Sequence, residues 1–199
     1  MTETEYIAQW VAPGARVLDL GCGDGALLKY LWDQRQAPGY GVEIDDAHVL
    51  ECIRNDVNVL QMNLESGLSA FRDGSFDCVI LSETLQAIHH QEALLGEMLR
   101  VGREAIVSFP NFGYWRARLQ IALAGHMPVS KELPYQWYDT PNVHYCTLVD
   151  FEDLCVKLGI RILERRVLHE GEPVSVLPNL LGAIAMYRCT RAGRGRGKL

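Results

Sequence analysis

The stretch Val17-Leu18-Asp19-Leu20-Gly21-Cys22-Gly23-Asp24-Gly25-Ala26 decides the fold. A short apolar run ends in a glycine-rich turn, and a helix-like segment, Ala26–Gln34, follows. This is the strand–loop–helix context that a nucleotide-binding loop requires. Gly21, Gly23 and Ala26 satisfy the G-x-G-x-x-[G/A] spacing of dinucleotide sites. Glycine at such a turn tolerates left-handed backbone angles and lets a ligand approach the main chain with no Cβ in the way.

Outward from the loop, four further apolar runs read as strands: Tyr40–Ile44, Val57–Met62, Cys78–Leu81 and Ala105–Phe109. They are nearly continuous in apolar residues rather than strictly alternating, which suits strands covered on both faces of a parallel sheet. Ala47–Asn55 and Gln91–Val101 read as helices between them, the latter with Leu94, Leu95, Met98 and Leu99 on one face. This alternation predicts right-handed βαβ units and an α/β fold, a Rossmann-like, doubly wound, mostly parallel sheet. Further on, Trp115–Ala124 reads as a helix stopped by Gly125, and Leu148–Leu158 as one capped by Asp150 and stopped by Gly159. Ile160–Leu168 and Ala183–Thr190 are expected to form an antiparallel end to the sheet. Residues 126–147 are rich in proline and aromatic side chains and show no period.

Composition agrees with a single globular domain: 199 residues, 48% hydrophobic and 22% charged. The expected division is one domain over residues 1–190, with 112–147 as a lid or docking insert, and a disordered basic tail over 191–199. That tail carries Arg191, Arg194, Arg196 and Lys198, so the remainder is more acidic than the net charge of −6 suggests. An acidic chain argues against nucleic acid as partner. The six cysteines include no C-x-x-C pair, and no metal-ligand constellation is visible, so no metal site is expected. The acidic start Met1–Glu5 lacks the pattern of a signal peptide, and no apolar stretch approaches membrane-spanning length. The expectation is a cytoplasmic protein with no membrane contact.

The charges around the loop select its ligand. Glu43 ends the second strand, twenty residues after Gly23, where a carboxylate can accept hydrogen bonds from both hydroxyls of a ribose. NAD and S-adenosylmethionine (SAM) would both use it. A pyrophosphate at a helix N-terminus wants backbone amides and no anion nearby. Asp19 and Asp24 bracket this loop, and a carboxylate about 4 Å from a phosphate costs roughly 1–4 kcal/mol. SAM carries a sulfonium and an ammonium and no phosphate, so the same carboxylates favour it. A plain corner turn and NAD are the alternatives that the charge pattern disfavours.

The segment resembles the first motif of class I SAM-dependent methyltransferases, [D/E]-x-G-x-G-x-G, met here by Asp19, Gly21, Gly23 and Gly25. Gly41-Val42-Glu43-Ile44-Asp45 is similar to the family's ribose-binding strand end, and Gln61-Met62-Asn63-Leu64 to its adenine-binding segment. Asn63 stands where the family usually places Asp; it keeps an acceptor and loses the charge. Phe76–Ser82 resembles the fourth strand, whose end faces cofactor and substrate. The resemblance implies binding of SAM or S-adenosylhomocysteine by Asp19, Gly21, Cys22, Gly23, Glu43, Ile44, Asn63, Leu64 and Ser82.

A closer resemblance is to the methionine biosynthesis protein MetW family. It is carried by Val17–Gly25, Gly41–Asp45, Ile80-Leu81-Ser82-Glu83-Thr84-Leu85-Gln86-Ala87, Val107-Ser108-Phe109-Pro110-Asn111-Phe112 and Thr140-Pro141-Asn142-Val143-His144. What it implies is a SAM-binding protein that supports or regulates a homoserine O-acyltransferase (MetX-like) as partner. The alternative is an autonomous SAM-dependent methyltransferase acting on a small-molecule acceptor. No nucleophile with a placed base and no G-x-S-x-G elbow is present, so the chain is not expected to be an acyltransferase itself.

No catalytic residue is assigned. Glu83, Asn111, Trp137, Tyr138 and His144 are candidates for a substrate or partner surface. Each has a plainer reading: an exposed carboxylate, a strand-ending turn at Pro110-Asn111-Phe112, and aromatic packing within a loop. His89-His90 reads as a solvated pair.

Overall fold

The computed structural model describes residues 1–193. Helix α1 (Glu3–Trp10) precedes β1 (Val17–Leu20), α2 (Ala26–Arg35), β2 (Gly39–Glu43), α3 (Asp46–Arg54) and β3 (Val59–Gln61). Then come β4 (Phe76–Leu81), α4 (Gln91–Val101), β5 (Gly102–Pro110) and α5 (Trp115–Leu119), which runs into a π-helical turn at Gln120–Ala124. The chain closes with α6 (Leu148–Leu158), β6 (Ile160–His169), β7 (Glu172–Pro173), α7 (Pro178–Leu181) and β8 (Ile184–Arg191).

The strands form one sheet in the order β3-β2-β1-β4-β5-β8-β6-β7. The first five are parallel. β8 is inserted antiparallel between β5 and β6, with Ser108 opposite Met186 and Val167 opposite Ala185. The expected mostly parallel sheet with an antiparallel end is therefore the fold observed. The order reverses at β1, which lies between β2 and β4. Ligands of open α/β sheets bind at such a point, outside the carboxyl ends of the strands.

The alternation of side chains along a strand distributes the core to both faces of the sheet. Leu18, Leu20, Val79, Leu81 and Val107 pack with Leu94, Leu95 and Met98 of α4 and Phe151 of α6. Val17, Ile80, Ile106 and Met186 pack with Tyr6, Ile7 and Trp10 of α1 and with Leu28 and Leu31 of α2. Phe109, Phe151 and Tyr187 form an aromatic knot, with ring centroids 4.6–5.9 Å apart, and the Tyr187 hydroxyl donates to Glu152 at 2.9 Å.

Two local expectations are corrected and one element is added. The acidic N-terminus forms α1, which Thr2 caps, with Glu5 reaching back to complete a capping box. Asp150 is not the cap of α6: Thr147 is, and Asp150 stands three residues on as its reciprocal partner. β3 is a three-residue edge strand rather than a strand covered on both faces, and its Leu60 is exposed. Of the basic tail, Arg191 ends β8 opposite Ile160, and residues 194–199 lie outside the described residues.

Candidate functional site

β1 delivers Asp19 and Gly21 to the switch point. Gly21 takes a positive φ of 72°, and a Cβ there would stand 2.6 Å from Thr84 Oγ1, so the position needs glycine on two counts. Gly23 also has a positive φ, 54°, and nothing lies within 4 Å of where its Cβ would be. The outer side of the loop is open to a ligand. The N–H groups of Gly21 and Cys22 both bond the Val42 carbonyl, at 2.8 and 3.1 Å, which ties the loop to β2.

Glu43, at the end of β2, is buried, and three main-chain donors hold it. Gly23 N–H reaches Oε2 at 2.9 Å, while Ile44 and Asp45 N–H reach Oε1 at 2.7 and 3.0 Å. The carboxylate thereby clamps the glycine loop to the start of α3. Asp19 lies beside it and is only 2% exposed. Burial, and then the Glu43 charge, push the Asp19 carboxyl up to about 7, and no hydrogen bond counteracts them. A buried, unbonded carboxyl next to a carboxylate is a receptor for a positive charge.

Ile44 follows with 59% exposure, an apolar flank beside the Glu43 carboxylate. Asn63 is exposed and caps a short 3₁₀ turn at Leu64–Ser66, its Oδ1 accepting from Glu65 N–H at 2.9 Å and its amide nitrogen left for other partners. Met62 N–H donates to the Glu43 carbonyl at 2.9 Å, so Asn63 and Leu64 are held close to Glu43. Cys22 can meet a ligand only through its main chain. Its side chain turns into the core, 3.8 Å from Cys52 Sγ. Burial pushes both thiols up.

Ser82 belongs to a second cluster at the ends of β4 and β5. Its hydroxyl donates to Glu3 Oε1 at 2.7 Å; Ser108 donates to the same oxygen. Glu83 N–H donates to both the carbonyl and the hydroxyl of Ser108, each at 3.1 Å. Thr84 Oγ1 donates to the Ser82 carbonyl at 2.8 Å and packs on Gly21, so the two clusters share a wall.

Beyond Thr84 opens a cleft of about 1490 Å³. Glu3, Glu83, Asn111, Tyr114, Glu132 and His169 are among its walls. Glu83 has a left-handed backbone (φ 48°), and its carboxyl is pushed up to about 7 by desolvation against the cleft walls, then by Glu3 and Glu132. Asn111 is buried and bonded on every side. Its amide donates to the Asn179 and Gly182 carbonyls, and its Oδ1 accepts from Gly113 N–H. It braces the loop after β5. Trp137 and Tyr138 are 71% and 70% exposed and stand edge to face, away from the cleft walls. His144 is exposed; its N–H, with that of Val143, bonds the Gln86 carbonyl at the cleft rim.

Glu3, Ser108, Glu132, Tyr114 and His169 were not singled out in the sequence. For Glu3 a signal existed: Thr2-x-x-Glu5 is a capping-box pattern that starts a helix at this residue. Among the described residues there is no group of three or more potential ligands that could hold a metal, and no helix long and apolar enough to cross a membrane.

The sheet order and the loop at its switch point define a protein of the SAM-dependent methyltransferase fold. A solved structure with this fold, an S-adenosylmethionine-dependent methyltransferase from Mesorhizobium loti, superposes with a TM-score of 0.70 at 16% identity, covering 94% of this chain and 98% of that one. The family model described as Methionine biosynthesis protein MetW matches residues 1–189, and the chain belongs to that family. It is 40% identical over 171 residues to the bifunctional methionine biosynthesis protein MetXA/MetW of Rhodopirellula baltica. That match takes in 81% of this chain but only 27% of the much longer relative. It is also 30% identical over 138 residues to a ubiquinone biosynthesis O-methyltransferase of Xanthomonas campestris, with 65% of this chain and 57% of that protein covered.

Proposed function

We propose that this chain binds SAM at the glycine loop and acts in methionine biosynthesis by supporting or regulating a homoserine O-acyltransferase of the MetX kind. The observation that carries the partner is the Rhodopirellula baltica relative, in which a sequence 40% identical to this one shares a polypeptide named MetXA/MetW. Two functions joined in one chain elsewhere are natural candidates for association as separate chains. The sequence carries no G-x-S-x-G elbow, and this reading assigns acylation to the partner.

The residues present fit SAM. Glu43 and Asn63 would take the ribose and the adenine edge, Ile44 would flank the base, and Gly23 leaves room for the approach. Asp19, buried and unbonded, is matched by a cationic ligand and mismatched by a pyrophosphate. When bound, SAM supplies an electrophilic methyl group. The chain's own groups bind it, orient it and exclude water.

The aromatic-rich segment is the docking surface favoured here. Trp137 and Tyr138 project from it with most of their area exposed, and Tyr and Trp are frequent interface anchors. The decisive experiment measures homoserine acylation by the purified acyltransferase with and without this protein, across SAM concentrations. A complex and a SAM-dependent change in rate are expected. Regulation requires different SAM affinity in the free and bound states, typically by about 1–3 kcal/mol.

A second reading, autonomous methyl transfer to a small acceptor, is favoured by the cleft next to the loop and by Glu83 within it, held up to about 7 and so able to accept a proton near neutrality. Absence of any complex, together with a methyl group transferred to an added metabolite, would make this the function instead.

A further inference from the structure

The first turn of α1 reaches into the site. Glu3 Oε1 is met by two hydroxyls at once, from Ser82 at the end of β4 and Ser108 within β5. The Ser108 hydroxyl is also placed to donate to the Ser82 oxygen, 3.2 Å away. A carboxylate oxygen can only accept, so Ser82 commits its single proton to Glu3, and the Ser108 proton serves Glu3 or Ser82. The Ser108 oxygen is then consumed as acceptor by Glu83 N–H. Ser82 is left half-buried with lone pairs and no proton to offer. Through Thr84, which bonds the Ser82 carbonyl and packs on Gly21, this seat adjoins the glycine loop.

We propose that Glu3 is a specificity-determining residue: with Ser82 it makes the end of β4 an acceptor-only, negatively charged seat for a protonated amine, that of the cofactor's amino-acid end. This deepens the SAM reading above and rests on it. An anion brought to the same place would meet lone pairs and a carboxylate, and is rejected; a neutral hydroxyl could donate there but gains nothing from the charge. A protonated amine donates to the Ser82 oxygen and is attracted by Glu3. The helix that carries Glu3 is anchored independently. Tyr6, Ile7 and Trp10 are buried, Trp10 Nε1 donates to Glu164 at 2.8 Å, and the Arg166 guanidinium lies over the Tyr6 ring. The Glu3 backbone is therefore held at the seat by its helix, and the serine bonds orient its carboxylate.

The test compares two ligands that differ in the amino-acid end: S-adenosylhomocysteine, which has the amine, and 5′-methylthioadenosine, which lacks it. Glu3→Gln keeps an oxygen acceptor for the serines and leaves the Thr2–Glu5 cap intact, so the fold is expected to survive, checked by thermal melting. In calorimetry, Glu3→Gln should weaken S-adenosylhomocysteine by about tenfold or more and leave methylthioadenosine unchanged. Glu3→Asp, which keeps the charge, should retain more affinity than Glu3→Gln. Equal weakening of both ligands, no effect on either, or the reverse order of Asp and Gln would overturn the assignment. In each of those cases binding of S-adenosylhomocysteine by the wild type leaves the cofactor reading standing; a wild type that binds neither ligand ends both.

Discussion

Oε2 of Glu43 accepts a hydrogen bond from Gly23 N–H at 2.9 Å, joining the end of the second strand to the middle of the glycine loop. The same side chain also takes the N–H groups of Ile44 and Asp45. It is thus a structural clamp as well as the ribose-binding group of the proposed SAM site, and truncation is expected to have two consequences. Glu43→Ala is expected to lower stability by about 1–3 kcal/mol by leaving main-chain donors unpaired, and to weaken SAM by a similar amount. Glu43→Gln keeps one acceptor; it should recover most of the stability and less of the affinity. Denaturation and calorimetry on the two variants separate these effects.

Asp19 makes the free protein sensitive to pH. Its folded-state pKa is raised, to about 7, so the folded form holds a proton that the unfolded chain releases near the ordinary carboxylate value. The sign follows: stability from this group is complete in acid and is lost as pH rises through about 7. Asp19→Asn should leave stability unchanged near pH 4 and raise it at pH 8 by roughly 2–4 kcal/mol, as read by denaturant titration. A cationic ligand favours the ionised form, so wild-type SAM affinity should increase with pH across the same window and binding should release a proton. Asp19→Asn should abolish that pH dependence.

Gly21 and Thr84 interlock. Gly21→Ala introduces a Cβ 2.6 Å from Thr84 Oγ1 on a left-handed backbone. The backbone alone costs about 1–2 kcal/mol, and the displaced Thr84 should carry the wall of the neighbouring cleft with it. Loss of SAM binding beyond the loss of stability is the expected outcome. Pairing with Thr84→Ala should relieve the collision and not the backbone strain.

Residues 126–145 contain no α-helix or strand, and Leu133 and Pro128 are the only buried residues within them. Their amides should exchange with deuterium far faster than those of β1, β4 and β5, and slow when SAM or the acyltransferase is added. Trp137→Ala and Tyr138→Ala should leave the melting temperature unchanged and weaken the partner complex.

The sequence was most legible where local and global preferences agree. β1, with every residue buried, and α4, with one apolar face, lie where periodicity put them, residue for residue. Val57–Met62 read longer than β3 because apolar residues at a sheet edge carry the same pattern whether or not a neighbour covers them. The cap of α6 was misplaced by three residues because Asp serves equally as cap and as the reciprocal partner of a threonine cap. At the site, Asp19, Gly21, Gly23 and Glu43 were readable because one loop and one strand end determine them. Glu3 was not: it sits 79 residues from Ser82 and 105 from Ser108, and no local spacing records a contact of that range.

The inserted strand β8 gives the two ends of the chain opposite characters. It runs against β5, so Ile184 lies opposite Pro110 at the ligand end of the sheet and Thr190 opposite Glu104 at the other. Eight residues of strand span about 25 Å. A fluorophore placed at Arg191 itself departs from the side remote from the glycine loop. The same attachment at Met1, two residues from Glu3 and against Gly171, would crowd the entrance itself. Binding assays on this protein are best built from its far end.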